Sequence, residues 1–108
     1  MKNYVLLIGN LGQDPELKIL ESGKKIARFT LATSDHYKDS EGNKIAETTW
    51  HNVVAWNSLA DIAIKYLKKG TLTVVEGKIS YRSYEDMKGN TKYITEIVAS
   101  NINFIKKP

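Results

Sequence analysis

The stretch Thr48-Thr49-Trp50-His51-Asn52-Val53-Val54-Ala55-Trp56, with Asn57 to Gly70 and then Thr71-Leu72-Thr73-Val74-Val75-Glu76-Gly77 behind it, decides the fold. Residues 48–56 are rich in β-branched and aromatic side chains and read with a period of two. Trp50, Asn52, Val54 and Trp56 share one face, and His51, Val53 and Ala55 share the other. Both tryptophans of the protein therefore look out from the same side of one strand. At Asn57, an N-cap residue type, the period changes. Leu59, Ile62, Ala63, Tyr66 and Leu67 recur at helical spacing, Lys68-Lys69 suit a last turn and Gly70 a terminator. That stripe is expected to pack on a core, which makes Tyr66 structural. Thr71 to Tyr84 returns to strand character, with Gly77 as a bulge or bend of the kind that curls a sheet into a small barrel.

Working outward, Lys25 to Ser34 is a strand with Ala27, Phe29 and Leu31 inward and Arg28 and Thr30 outward. Before it, Glu16 to Leu20 can be extended and Glu21-Ser22-Gly23-Lys24 is a turn. The first run, Tyr4-Val5-Leu6-Leu7-Ile8, is apolar on both parities, so one face is assigned to the core and the other, with Tyr4, Leu6 and Ile8, to a contact between subunits. Asp35 to Glu47 is polar and forms a loop or a long protruding hairpin. Met87-Lys88-Gly89-Asn90 is a turn, followed by strands over Lys92 to Ala99 and Asn101 to Ile105. The order is all-β with one helix, and it fits a five-stranded, partly open Greek-key barrel, the OB-fold, with the helix between strands 3 and 4. One domain over 1–108 accounts for the length.

Composition removes several function classes. Without cysteine there are no disulfides, no thiolate chemistry and no cysteine-containing zinc site. The two histidines, His36 and His51, are isolated, the acids Asp14, Glu16, Asp35, Asp39, Glu41 and Glu47 sit in turns and loops, and no phosphate-cradling glycine loop occurs. The expectation is a protein that is not an enzyme and needs no metal or cofactor. No run approaches the ~18 apolar residues of a membrane span, and none reads as a secretory signal, so no membrane partner is expected and the cytoplasm is the expected compartment. The net charge is +4, and fourteen of the sixteen basic residues are lysine, the others being Arg28 and Arg82. Point charges for a phosphate backbone are plentiful, whereas the bidentate fork that reads guanine edges is scarce.

Aromatics interleaved with basic residues point to one chemistry. Trp50 and Trp56 share a strand face about 20 Å apart, Tyr37 precedes Lys38 in the polar loop, and Tyr84 follows Arg82. Each base of an unpaired nucleic acid has a face to stack on such rings, while lysines track the phosphates.

Six segments carry a resemblance: Ile8-Gly9-Asn10-Leu11-Gly12-Gln13-Asp14-Pro15-Glu16, Phe29-Thr30-Leu31-Ala32-Thr33-Ser34, Glu47 to Val54, Tyr66-Leu67-Lys68-Lys69-Gly70, Val75-Glu76-Gly77 and Tyr93-Ile94-Thr95-Glu96-Ile97. In this order and spacing they resemble the bacterial single-stranded DNA-binding protein family over about Lys2 to Phe104. The resemblance implies an OB-fold that assembles as a homotetramer and wraps single-stranded DNA in replication, recombination and repair, in the bacterial cytoplasm with the nucleoid. It places the family's stacking positions on Tyr37, Trp50, Trp56 and Tyr84. Basic positions are kept at Lys18, Lys38, Lys68, Lys69 and Arg82, while Asn52, Ser58, Ser80 and Ser83 stand where the family often has Lys or Arg, which implies a shallower salt dependence. His51 falls on a subunit-contact position. Family members usually continue into a flexible tail with an acidic, hydrophobic tip that recruits other proteins. This sequence stops at Lys106-Lys107-Pro108 with no acidic tail, so recruitment is not implied by its residues. The alternative is an OB-fold accessory protein acting mainly through protein contacts; the four retained aromatics count against it.

Overall fold

The structure, a computed structural model, describes residues 1–106; Lys107 and Pro108, on which the sequence's end falls, lie outside the described residues. Six strands and one helix follow in the order β1 (Val5–Leu11), β2 (Glu16–Ile19), β3 (Lys25–Lys38), β4 (Lys44–Trp56), α1 (Ser58–Tyr66), β5 (Leu72–Glu85) and β6 (Thr91–Lys106). The sheet order is β1-β5-β6-β4-β3-β2, and β1 also pairs with β3 at Asn10↔Ala32 and Leu11↔Leu31. That pairing closes β1, β3, β4, β5 and β6 into a five-stranded barrel, with β2 an added edge strand on β3. The other seam is narrow. The parallel strands β4 and β6 meet only at Val53↔Ile97 and Val54↔Val98. The helix lies between the third and fourth barrel strands and packs on β3, β4 and β6. This is the OB-fold architecture read from the sequence.

Alternation builds the core. Leu11 from β1, Ala27, Phe29 and Leu31 from β3, Val53 and Ala55 from β4, Val75 from β5 and Ile97, Ala99 and Ile102 from β6 point inward and form one cluster, with Ala60, Ala63 and Leu67 of the helical segment closing it. The outward face of the β3–β4 pair is not uniformly polar. Ile26 and Val54 are also buried and make the floor of surface grooves.

The expected irregularity at Gly77 is present, as a bulge in the strand that faces it. The β5–β6 register slips there, with Glu76 opposite Asn101 and Gly77 opposite Ala99, so Ser100 is the extra residue. A β-carbon on Gly77 would overlap the Val98 carbonyl, so only glycine lets the strands approach this closely. The slip also joins the two expected C-terminal strands into one long β6.

The polar segment 35–47 is a hairpin, not a loop: β3 and β4 stay paired to Lys38↔Lys44. Its tip, Asp39-Ser40-Glu41-Gly42-Asn43, and the β5–β6 tip, Asp86-Met87-Lys88-Gly89-Asn90, share one construction. The aspartate Oδ1 accepts from the backbone N–H groups two and four residues on, all at 2.9 Å, and the glycine adopts a φ of 84° or 81°. Hydrogen bonding from the Asn43 N–H, aided by Glu41 and Gly42, holds the Asp39 carboxyl below the usual aspartate range.

The helix departs from the sequence reading in three places. Asn57 makes no side-chain cap. It takes a positive φ of 52°, and its Oδ1 accepts from the Lys25 N–H at 3.2 Å while its own N–H donates to the Lys25 carbonyl, so it fastens the start of β3 instead. The buried residues are Ala60, Ala63 and Leu67, with Leu59 packed against them. Ile62 and Tyr66 are turned outward, and Tyr66 stacks on Phe104 with ring centroids 5.8 Å apart. The helix ends at Tyr66, so Lys68 and Lys69 belong to the α1–β5 connection, where Gly70 supplies a φ of 89°. Among the described residues, no helix is long and apolar enough to cross a membrane.

Candidate nucleic-acid interface

The outward parity of β4 puts Trp50 and Trp56 on the barrel surface, 60% and 38% exposed, opposite Ala32 and Ile26 of β3. Three clefts run between them. The first, of about 340 Å³, is lined by Trp50, His51, Asn52, Tyr93 and Ile94, among others. The second, of about 250 Å³, shares Asn52 and Ile94 with it and adds Gln13, Glu16, Arg28 and Glu96. The third, of about 530 Å³, shares Glu16 and Arg28 with the second and ends at Trp56, Lys18 and Arg82. Shared walls make them one track, with an indole at each end, a greasy floor at Val54 and Ile26, and cations along its sides. It exists because β4 and β6 part on either side of Val53 and Val54, and because β2 raises a rim beside β3.

Such a track is shaped for a chain of flat, anionic units. Residues 2–105 match the profile of the Single-strand binding protein family. The chain belongs to that family. It is 49% identical over 104 residues to Single-stranded DNA-binding protein 1 of Chlorobaculum tepidum, covering 95% of this chain and 64% of that protein. It is also 49% identical over 105 residues to the Single-stranded DNA-binding protein of Bacteroides thetaiotaomicron, covering 95% and 65%. The chain thus spans under two thirds of the length of these curated relatives. A solved complex of Plasmodium falciparum SSB with ssDNA superposes with a TM-score of 0.88 at 33% identity, covering 98% of this chain and 96% of that one.

Within this member of the single-strand binding protein family, the expected site residues fall into three groups. Trp50, Trp56, Lys18 and Arg82 meet along the track. Tyr37 and Tyr84 are half-exposed on the two projecting arms, Tyr37 beside the Lys38↔Lys44 pair and Tyr84 opposite Lys92. Lys68 and Lys69 sit on the α1–β5 connection. There the Lys69 N–H donates to Asp14 at 2.8 Å and the Gly70 N–H to the Leu11 carbonyl at 2.8 Å, tying that connection to the segment that carries Gly12, next to Trp50.

Arg82 is less free than its sequence position suggests. Its Nε and Nη2 donate to Glu96 at 2.7 and 3.3 Å, and the Glu96 carboxylate is buried. The pair takes two of the guanidinium's five N–H donors and raises its pKa. Arg28, by contrast, lines two of the clefts with no bonded partner among the described residues. Its outward parity on the Lys25–Ser34 strand was the signal for it. Tyr93, strongly exposed beside the first cleft, could be found only once the β4–β6 seam was known.

The expected subunit face is also displayed. Tyr4, Leu6 and Ile8 are 57%, 52% and 54% exposed on the outer side of β1, whose edge over residues 5–9 pairs with β5 on one side only. The Tyr4 hydroxyl donates to Glu76 at 2.8 Å, which raises the phenol pKa. His51 is partly buried, with Nε2 3.0 Å from the Thr33 hydroxyl.

Proposed function

We propose that this chain is a non-catalytic, sequence-tolerant binder of single-stranded DNA, protecting unpaired strands in replication, recombination and repair. The observation that carries the reading is the track from Trp50 to Trp56. Bases stack on the indoles, and on Tyr37 and Tyr84 as the strand passes over the arms, while Lys18, Lys38, Lys68, Lys69 and Arg82 attract the backbone. The names of the bacterial relatives and of the structural neighbour support the same partner.

The chain is proposed to act as a homotetramer in the bacterial cytoplasm, associated with the nucleoid. The exposed apolar parity of β1 and its open edge support self-association through Tyr4, Leu6 and Ile8, and His51 stands at the position of the family's subunit-contact histidine.

Titration with oligo-dT while following tryptophan emission tests the reading. Quenching that weakens with salt, without strand cleavage, is expected. Unchanged emission at low salt would refute it.

A further inference from the structure

We infer that the middle of the track holds one base-discriminating position, at which Arg28 and Glu16 favour guanine. The inference rests on the proposed binding of single-stranded DNA and adds a preference to it.

Glu16 and Arg28 are direct cross-strand partners in the β2–β3 register, which puts their side chains on the same face with β-carbons about 5 Å apart. Elsewhere in this fold opposite charges within reach do join: Lys25 of β3 binds Asp61 of the helix at 3.0 Å, and Arg82 binds Glu96 diagonally across the β5–β6 pair. Glu16 and Arg28 form no ion pair among the described residues, although both are exposed and both line the second and third clefts. The protein therefore presents a planar donor fork and a carboxylate acceptor side by side, about midway between its two indoles, with neither consumed by the other.

A phosphate could use Arg28 but would meet the unpaired carboxylate of Glu16 directly across the strand pair. A neutral base edge avoids that repulsion and can use both groups. Guanine suits them best. Its O6 and N7 accept from an arginine fork, and the adjoining N1–H and N2 amino group donate to a carboxylate. Thymine carries a single ring donor between two acceptors, adenine offers one amino group, and cytosine pairs two acceptors with one amino group, so each leaves part of the couple unused. The groove stays sequence-tolerant at its stacking stations and gains selectivity at one point.

The test measures binding of all-dT strands of about 15 nucleotides, and of the same strand with a single central dG, dA or dC. The dG strand should bind at least about fivefold more tightly than the others, the low end for a bidentate contact. Arg28→Lys and Glu16→Gln should each remove that preference and still bind all-dT. Equal affinity for the four strands, or a preference that survives both substitutions, would overturn the inference. So would an Arg28→Ala protein that weakens equally on all four strands with a salt slope shallower by about 0.7, the mark of a phosphate contact. Failure of all-dT to bind would instead remove the underlying function, and the preference with it.

Discussion

Gly12 lies against the Trp50 indole: a β-carbon at position 12 would overlap the ring and crowd the Thr30 hydroxyl. The glycine is held by its own N–H, which donates to the Thr30 carbonyl at 3.0 Å, so neither side can retreat without loosening the β1–β3 closure. The orientation of the Trp50 ring therefore depends on a residue in the β1–β2 connection.

Gly12→Ala should move the indole. Affinity for oligo-dT should fall toward that of Trp50→Ala, itself lower by about 1–3 kcal/mol. The melting temperature distinguishes a displaced ring from a damaged barrel.

Lys18 and Arg82 share a cleft and should behave differently. Lys18→Ala should leave stability unchanged and make the salt slope of binding shallower by about 0.7. Arg82→Ala strands the buried Glu96 carboxylate and should cost at least about 1–3 kcal/mol of folding free energy in a urea titration.

The contrast shows how far the sequence could be read. The parity of Trp50 and Trp56, the change of period at Asn57 and the bend at Gly77 are local patterns, and they carried the barrel order and the face that bears the track. The Arg82–Glu96 pair spans a hairpin and depends on the β5–β6 register, so residue type alone left Arg82 as a free cation. Asn57 has the composition of a cap, yet Lys25 competes for its carbonyl oxygen and wins because β3 must start beside it. Ala63 and Leu67 of the helical stripe are buried as read, but Ala60 takes a core position while Ile62 and Tyr66 face outward, a choice made by how the helix sits on the barrel and invisible to helical periodicity. Arg28 was legible as an outward residue, but its place between two clefts required the added β2 strand.

Gly77→Ala should destabilise the barrel by about 1–3 kcal/mol, because the new methyl meets backbone at Val98 that cannot step aside. Gly23→Ala, where nothing crowds the β-carbon and only the φ of 88° is unfavourable, is the control and should cost less. Thermal unfolding of the two variants checks the order.

Acid should loosen the β3–β4 tip. Because the Asp39 carboxyl is held below its ordinary value of 3.8 by hydrogen bonds from Asn43 and its neighbours, the turn's stabilisation is present above that value and is lost as pH falls through the lower, folded one. Amide exchange at Glu41 and Asn43 should accelerate there, and Asp39→Asn should blunt the change.

Leu6→Asp places a charge on the outer face of β1 without touching the core. Native mass spectrometry should show a tetramer for the parent chain and smaller species for the variant. A parent chain that is monomeric at micromolar concentration would contradict the role given to this face.

Two single-tryptophan proteins, Trp50→Phe and Trp56→Phe, test most directly whether one strand of DNA occupies the whole track, since each reports on one end. On addition of oligo-dT, both remaining indoles should be quenched in parallel, with the same midpoint and the same salt sensitivity. Quenching at only one end, or at neither, would contradict the account.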